Sequence, residues 1–450
     1  MASRSSPSRW FVERATPPHA HSLAEDRASP PHRQGGKIRT YQTLKHLKAS
    51  HEITYLCLDD GTASPEAASR AEEYCHHLVR VPFSAPPRGS LAFFADLARN
   101  VFSTLPYAVA RYRSKAMREA IRRAVRERAI DLVICDFLTP AINVPDDLGV
   151  PTLLFQHNVE AAIWARHATV SSHPVRKTYM REQWRRMRDF ERRSCHRFGH
   201  VIAVSDADRD AFRDDYGVSS VSAVPTGVDT DYFRPTGHVP VSRHEIVFTG
   251  SMDWMPNEDG IAWFVHEVLP LVRRDVPDVT LSIVGRNPTA LVRGLASEAP
   301  GIDVTGTVPD IRPYLERAAT VIVPLRIGGG TRLKIFEAMA MERAIVSTTI
   351  GAEGLPVTDG VDIRVADDAP AFSAAIVELL RDPDSAARIG AAAARQVRTR
   401  FGWEGVTEQF AAACAETVAR WRRPRTAGLA SGHGDRPAPG DGTLTTTSRS

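Results

Sequence analysis

The chain has 450 residues, of which 43% are hydrophobic and 24% charged, a composition typical of a soluble globular protein with roughly two or three domains. It has no run of about 18 or more apolar residues, which excludes a membrane-spanning helix, and its first residues lack the apolar segment of a secretory signal. The five cysteines are scattered, which excludes a disulfide framework and a cysteine-based zinc site. These features predict a cytoplasmic protein.

Basic residues are concentrated in the first half of the chain. Residues 1–225 hold 33 Lys and Arg against 25 Asp and Glu, whereas the remainder holds 24 against 28. The excess lies in two arginine-rich segments, 111–128 and 176–198. Such a charge distribution indicates an anionic partner, and we expect a membrane surface and no nucleic acid because the segments carry no nucleic-acid-binding motif. The alternative is a pair of solvated helix faces.

The first half alternates strands with helices. Gly35 and Gly36 open a predicted helix that ends near Ala49. Apolar segments typical of buried strands follow, with amphipathic helices between them, at 52–58, 130–137, 151–156, 200–205 and 220–225. Strands that alternate with helices predict parallel βαβ units.

The second half repeats this pattern, with helix breaks near Pro383 and Gly402 and with strands predicted at 245–251, 279–285, 302–308, 320–325, 344–349 and 362–367. We therefore predict an α/β protein with two doubly wound, Rossmann-like domains facing each other across a cleft, where ligands bind in such folds. The predicted divisions are a disordered or aberrant segment 1–34, a first domain 35–225, a linker 226–243, a second domain 244–400, a helix 401–423 that packs back on the first domain, and a disordered tail 424–450.

The most informative segment is 323–355, VPLRIGGGTRLKIFEAMAMERAIVSTTIGAEGL. A predicted strand is followed by three glycines, 328–330, and by a helix that begins near Thr331. Glycines let the backbone approach a phosphate, and the N–H groups and dipole of a helix start favour an anion. Arg332 and Lys334 add two cations in the first turn, where the dipole disfavours them unless an anion lies between them. The segment therefore predicts a phosphate site, with a capped helix after a tight turn as the alternative.

This segment resembles the donor site of family 4 glycosyltransferases, which have the GT-B fold. Between about Gly35 and Trp403, further segments resemble that family in order and at fitting spacings, namely 154–167, 203–212, 224–235, 248–264 and 282–288. The combination is most similar to a bacterial subgroup associated with exopolysaccharide and surface-glycan synthesis, including capsule and lipopolysaccharide. The resemblance implies a retaining, metal-independent transferase that moves a hexose-type sugar from a nucleotide-diphosphate sugar to a glycan or lipid-linked acceptor, with no cofactor.

The resemblance also implies roles for individual residues. Arg332 and Lys334 would flank the donor diphosphate, His157 would face the transferring sugar, and these three are the catalytic candidates. Glu337 would contact the donor ribose. The other residues implied at the donor site are Gly250, Ser251, Arg286, Gly328, Gly329, Gly330, Thr331 and Glu353, and those implied on the acceptor side, besides His157, are Gly35, Gly36 and Asn158.

The second half departs from the family pattern at two places. Gly329 replaces the first of two paired glutamates, so Glu353 or backbone N–H groups are expected to contact the donor sugar. Ser251 and, approximately, Asn257 replace an arginine and a lysine, whose charge the two cations of the predicted helix turn would supply. Arg286 lies either at the mouth of the cleft or in a plain turn.

The first half departs from the pattern at its start. The family has an apolar strand shortly before the glycine pair, but here that place is polar, and the only candidate, 9–13, is too far upstream for an ordinary loop. We therefore predict that the first sheet lacks a well-formed central strand. That absence favours, as one alternative, a non-catalytic nucleotide-sugar binder; a nucleotide-sugar epimerase of the same fold is another.

Two strings, 206–208 and 229–231, imitate a metal-binding DxD motif. The first lies where a helix is predicted to start, with Ser205 or Asp206 as its N-cap, and the second lies in the predicted linker. We therefore expect no metal. The predicted location is the cytoplasm, with peripheral attachment to the inner face of the membrane through the basic segments.

Overall fold

The computed structural model describes residues 9–14, 35–61, 70–87, 89–170, 174–327 and 333–423. Within these ranges the chain forms two parallel β-sheets that are flanked by helices, which confirms the predicted α/β class with two doubly wound halves. Among the helices of these ranges, none is long and apolar enough to span a bilayer.

The first sheet has the strand order β3-β2-β1-β4-β5-β6-β7, and every pair of neighbours is parallel. An edge strand, β3, was not predicted, because its sequence HLVRVP is mostly half-buried and forms no apolar run. The strands are β1 (Arg9–Arg14), β2 (Glu52–Asp59), β3 (His77–Pro82), β4 (Leu132–Asp136), β5 (Thr152–Phe155), β6 (His200–Ala203) and β7 (Val221–Ala223).

Strand β1 occupies the centre of this sheet. Its residues pair in parallel register with residues 52–57 of β2 on one side and, over four residues, with residues 132–135 of β4 on the other. The prediction that the sheet lacks its central strand is therefore wrong, and Arg9–Arg14 do not belong to a disordered segment 1–34. The prediction assumed a short loop, but closure entropy grows only logarithmically, so a connection about four times the usual length costs only ~1.2 kcal/mol more. The rest of 1–34 lies outside the described residues.

Helices cover both faces of the first sheet. One apolar cluster holds Met117, Ile121 and Phe190, and a second, on the opposite face, holds Leu44, Leu47 and Tyr55. The helices are α1 (Gly35–Leu47), α2 (Leu91–Asn100), α3 (Tyr107–Ala110), α4 (Lys115–Arg128), α5 (Glu160–Val170), α6 (Pro174–Arg197) and α7 (Asp206–Asp214), and a 3₁₀ turn spans Thr139–Ile142.

The second sheet has the order β10-β9-β8-β11-β12-β13, again parallel throughout. All six strands lie within the predicted ranges, because four of them are buried, mostly apolar segments bounded by turns. They are β8 (Glu245–Thr249), β9 (Thr280–Val284), β10 (Ile302–Gly306), β11 (Thr320–Val323), β12 (Ala344–Ser347) and β13 (Arg364–Val365). The helices around this sheet are α8 (Met255–Trp263), continued by a π-helical turn (Phe264–Val268), α9 (Leu269–Asp275), α10 (Ala290–Glu298), α11 (Arg312–Arg317), α12 (Leu333–Ala340), α13 (Ala369–Arg381) and α14 (Pro383–Arg400).

The chain returns to the first half at its end. Helix α15 (Trp403–Arg422) contacts α1 and β5, and its Trp403 and Phe410 belong to the same apolar cluster as Leu44. The returning segment lies beside the outgoing one, since Val228 N–H donates to the Phe401 carbonyl at 2.8 Å. The chain thus crosses between the two halves twice, at adjacent segments around Val228 (the first crossing) and Phe401 (the second crossing).

Candidate functional site

The carboxyl ends of the strands of the two sheets border a cleft. One cavity of about 680 Å³ in it is lined from the first half by Asn158, Ser205 and Thr226, and from the second half by Phe336 and Glu353. Two predicted site residues, Asn158 and Glu353, therefore share one cavity although they belong to different halves. This is the place where doubly wound folds bind their ligands.

Two glycines allow the ends of β8 and β9 to approach closely. A Cβ atom at Gly285 would lie 1.7 Å from the Gly250 carbonyl oxygen, and a Cβ atom at Gly250 would lie 2.6 Å from the Asn257 amide nitrogen. Side chains at these positions would collide with the backbone or with the amide. The glycine predicted at the donor site, Gly250, therefore keeps open the space in which a cation is seated.

That cation is Lys334, from the first turn of α12. Its Nζ donates to Asn257 Oδ1 at 2.8 Å, lies 4.4 Å from the centre of the Phe248 ring, and would lie 2.9 Å from a Cβ atom at Gly250. Asn257 is held in turn, because its amide donates to the Ser251 carbonyl at 2.8 Å. The family pattern has a lysine approximately at the position of Asn257, and in this chain the ammonium group of Lys334 lies beside Asn257 instead.

A second predicted pair meets beside this point. Arg286 Nε donates to Ser251 Oγ at 3.0 Å, and the Arg286 carbonyl accepts from Met252 N–H at 2.9 Å. The Ser251 hydroxyl also bonds to Asp253, which lowers the pKa of that carboxyl group. Arg286 therefore lies at the end of β8 beside Ser251, in a fixed loop.

Glu337 lies one turn after Lys334 on α12. Burial raises the pKa of this carboxyl group to about 7, and the nearby Lys334 only partly offsets the effect. A carboxyl group in such surroundings is stabilised by ligand hydroxyls that donate to it. A ribose diol has this chemistry.

The glycine loop itself falls in an interval of the chain that the structure does not describe. The predictions for Gly328, Gly329, Gly330, Thr331 and Arg332 therefore lie outside the described residues. On the near side of this interval, the exposed Arg326 pairs with Asp259 at 2.8 Å.

His157 is enclosed by the first half. It is 3% exposed, its Nε2 lies 2.6 Å from Asp136 Oδ1, and its ring stacks on Phe137 with 3.6 Å between centroids. Asp136 also accepts a hydrogen bond from Thr40 Oγ1 at 2.7 Å. The structure therefore places His157 in a buried network and its neighbour Asn158 at the cavity. A sugar-facing role for His157 stays a prediction.

Arg39 belongs to the same buried region and was not predicted. Its guanidinium donates to Thr226 Oγ1 at the first crossing between the halves. Burial lowers the pKa of Arg39 to about 10, while the charges of Asp136 and Asp208 raise it, so the group stays protonated at neutral pH. Its position soon after Gly35 and Gly36 was the available signal, since a cation after a glycine pair resembles the pattern recognised in the second half.

A buried carboxylate fixes the loop that carries Asn158. Glu191 accepts from Glu160 N–H at 2.8 Å and from Ala161 N–H at 3.0 Å, and the Tyr216 hydroxyl donates to it at 2.8 Å. Burial raises the pKa of Glu191 to about 7, and these hydrogen bonds oppose the rise. Since the bonded N–H groups belong to the first residues of α5, Glu191 caps that helix and sets its start.

The first DxD-like string has a structural role. Ser205 Oγ accepts from Asp208 N–H at 3.1 Å, so Ser205 is the N-cap of α7, one of the two residues named for that position. Among the residues that the structure describes, no group of three or more His, Cys, Asp or Glu side chains is placed to hold a metal ion.

Two protein families match the chain, one in each half. The model described as Glycosyltransferase Family 4 matches residues 33–232, and the model described as Glycosyl transferases group 1 matches residues 243–382, so that together they cover about three quarters of the chain. The chain belongs to the family 4 glycosyltransferases. This membership agrees with the resemblance found in the donor segment and with the two-sheet fold.

Curated relatives match parts of the chain. A GDP-mannose-dependent α-(1-6)-phosphatidylinositol monomannoside mannosyltransferase of Mycobacterium tuberculosis is 30% identical over 243 residues, which are 47% of this chain and 60% of that protein. An uncharacterised 44.6 kDa protein in the cps region of Klebsiella pneumoniae is 26% identical over 140 residues, 29% of this chain and 36% of that protein. The chain thus spans between about a third and three fifths of the length of these relatives.

Solved structures share the fold over nearly the whole chain. Sucrose-phosphate synthase from Thermosynechococcus elongatus has a TM-score of 0.66 at 17% identity, with 92% of this chain and 100% of that chain covered. Anabaena HepE in complex with UDP has a TM-score of 0.59 at 14% identity, with 91% and 100% covered. At such identities these similarities establish the GT-B fold alone.

Proposed function

We propose that the protein is a glycosyltransferase that moves a hexose-type sugar from a nucleotide-diphosphate sugar to a glycan or lipid-linked acceptor in exopolysaccharide, capsule or lipopolysaccharide synthesis. The observation that carries this proposal is the seating of Lys334 against Gly250 and Asn257, at the carboxyl end of β8 and the start of α12. A cation held there can bind the diphosphate of a donor. The family membership and the sequence similarity to a protein from a cps region support the same function.

The diphosphate is the leaving group of this reaction, so catalysis chiefly requires that its developing charge be stabilised. In our proposal Lys334 and Arg332 supply positive charge, with backbone N–H groups of the loop 328–331. Loss of one such contact typically lowers the rate by about 10²–10³. Because these groups belong to the chain, we propose that transfer needs neither a metal nor a cofactor.

The sugar and ribose are assigned to carboxylates of the second half. We propose that Glu337 accepts hydrogen bonds from the ribose, because its partly buried carboxyl group gains from ligand donors. Glu353 is exposed and lines the cavity opposite Asn158, so it can contact the transferring sugar in place of the glutamate that Gly329 replaces.

The first half would hold the acceptor. We propose that attack occurs on the same face from which the diphosphate leaves, so that the anomeric configuration is retained. Asp136 and His157 are positioning residues in this scheme, since they lie in a buried network and fix the chain before Asn158. Gly35 and Gly36 begin helix α1, whose Arg39 reaches the crossing at Thr226.

A non-catalytic binder was motivated by the missing central strand, and β1 removes that ground. Transfer can be tested by incubating the protein with labelled UDP- and GDP-sugars and with lipid-diphosphate or oligosaccharide acceptors, in buffer and in EDTA. We expect label on an acceptor in both buffers, with the anomeric configuration of the donor. Conversion of the donor sugar without transfer would instead indicate an epimerase, and loss of transfer in EDTA would contradict the metal-independent scheme.

A further inference from the structure

Helix α2 is apolar in sequence but is not part of a core. Of its residues LAFFADLARN, only Asn100 is buried. Leu91 is 89% exposed and Phe102, just after the helix, is 93% exposed, while more than half of the Phe94 side chain is exposed as well. A soluble protein rarely leaves several large apolar side chains together in water without a partner that covers them.

The exposed helix is held in place by a buried arginine. Arg186 of α6 donates to the carbonyl of Asn100 at 2.6 Å and to the carbonyl of Val101 at 2.9 Å, at the end of α2. Its Nε donates to Glu182 at 2.6 Å. Asn100 adds a hydrogen bond to the Leu105 carbonyl at 3.1 Å. Helix α2 is therefore held against α6 at its carboxyl end, while Leu91 and Phe94 stay exposed.

The first turns of α6 extend the apolar surface and add charge. Val175 is exposed, and with Val101 and Tyr179 it lines a shallow groove of about 500 Å³ between the two elements. Arg176 and Arg181 are exposed on the same turns, and residues 174–181 contain no acidic residue. The acidic residues nearby are already paired, Glu182 with Arg185 and Arg186, and Asp96 with Arg99.

We propose that this surface docks on an anionic lipid bilayer. The docking surface is defined by the apolar side chains Leu91, Phe94, Val101, Phe102 and Val175 and by the basic side chains Arg176 and Arg181. An amphipathic helix in the plane of a membrane buries its apolar side about 5–10 Å into the boundary of headgroups and acyl chains, with basic residues at the phosphates. The inference rests on the proposed function in one respect: in that function, docking would bring the acceptor side of the cleft to a lipid-linked acceptor.

The charge distribution favours a bilayer over a second copy of this chain. A two-fold contact through the docking surface would bring Arg176 and Arg181 of both copies into one interface, where like charges repel. An anionic bilayer instead attracts these residues, and the attraction decays over a Debye length of ~8 Å at physiological salt.

The docking surface can be tested by flotation of the full chain with vesicles of phosphatidylglycerol and phosphatidylcholine, and with phosphatidylcholine alone. We expect binding to the anionic vesicles that weakens at high salt, and a loss of at least about tenfold in the double variant Leu91→Ser/Phe102→Ser. Both side chains are exposed, so the variant should fold. A matched control is Leu291→Ser, which removes an exposed leucine from the second half and should bind as the wild type does.

The charges are tested within a single helix. Arg176→Gln/Arg181→Gln should weaken binding to anionic vesicles, whereas Arg192→Gln/Arg193→Gln should change it little, because those exposed arginines lie about 21 Å further along α6. Equal losses in the two pairs would show a diffuse basic surface and would overturn the localised docking surface.

Several results would overturn the proposal. They are equal binding of wild type and Leu91→Ser/Phe102→Ser, absence of wild-type binding to either vesicle, and a dimer in sedimentation that only this double variant dissociates. Affinity for UDP and GDP, measured on the same samples, separates this proposal from the proposed function. Lost vesicle binding with nucleotide affinity intact concerns the docking surface, whereas vesicle binding without any nucleotide affinity or transfer concerns the transferase.

Discussion

Replacement of Lys334 by methionine tests the donor site most directly. The substitution keeps most of the side-chain length but removes the ammonium group that bonds to Asn257 Oδ1 at 2.8 Å and lies 4.4 Å from the Phe248 ring. If that group also contacts the donor diphosphate, its loss should cost ~1.5–3 kcal/mol, the range of hydrogen bonds to charged groups. This corresponds to a rise of about 10- to 160-fold in the Kd for UDP or GDP, whichever base the protein prefers.

Isothermal titration with the diphosphate and with the corresponding nucleoside isolates this contact. The nucleoside has no phosphates, so its affinity should change less than about twofold in Lys334→Met. Arg326→Met is the matched control, because Arg326 is an exposed cation on the other side of the glycine loop whose charge is already paired with Asp259 at 2.8 Å. The assignment of Lys334 to the diphosphate is refuted if Lys334→Met binds UDP and GDP as the wild type does, or if it weakens the nucleoside equally.

Three further predictions concern stability and the first half. Because the pKa of Glu337 is raised to about 7 in the folded protein, its contribution to stability is present below pH 4.5 and is lost as pH rises towards 7. The unfolding free energy of Glu337→Gln should therefore rise relative to that of the wild type by on the order of 1–3 kcal/mol between pH 4.5 and 8, and a difference that does not vary with pH would contradict this. Gly285→Ala should destabilise the fold by more than ~3 kcal/mol, since its Cβ would lie 1.7 Å from the Gly250 carbonyl, whereas Gly294→Ala, in open space within α10, should stabilise it by about 0.5–1 kcal/mol in urea denaturation. Asp136→Asn should lower kcat by roughly 10- to 100-fold while the Kd for the donor nucleotide stays within about twofold, and an equal loss of nucleotide affinity would show that the network around His157 does not act on the first half alone.

The second half could be predicted more fully than the first because its signals are local. Four of its six strands are buried, mostly apolar and bounded by turns, and Lys334 and Glu337 lie within one short helix. In the first half, β1 is separated from helix α1 by a long connection, and β3 carries charge on an exposed edge. Neither strand has the pattern by which buried strands are found in a sequence.

The network around His157 depends on strand order, which the sequence contains only indirectly. Asp136 ends β4 and His157 follows β5, and the two side chains meet because those strands are neighbours in the sheet. Parallel neighbours carry their carboxyl ends at the same edge, so two polar residues that follow consecutive buried strands are expected to lie close together. Pairing the ends of predicted strands, and not only scanning for motifs, would have brought Asp136 into the candidate site.

The arginine-rich segments show the limit of arguments from charge alone. The sequence predicted two basic helices, and α4 and α6 are indeed helices, but the structure gives their arginines different roles. Arg122 is paired with Asp147 and Glu119, and Arg186 is buried against backbone carbonyls, so neither contributes a free charge to a basic face. What distinguishes Arg176 and Arg181 is the exposed apolar helix beside them, and that neighbour lies some 80 residues earlier in the chain. An apolar segment such as LAFFADL would be assigned to a core from its composition, because hydrophobicity predicts that a surface is to be covered but not by what. The identity of the covering partner follows only when the charges around the segment are known in three dimensions.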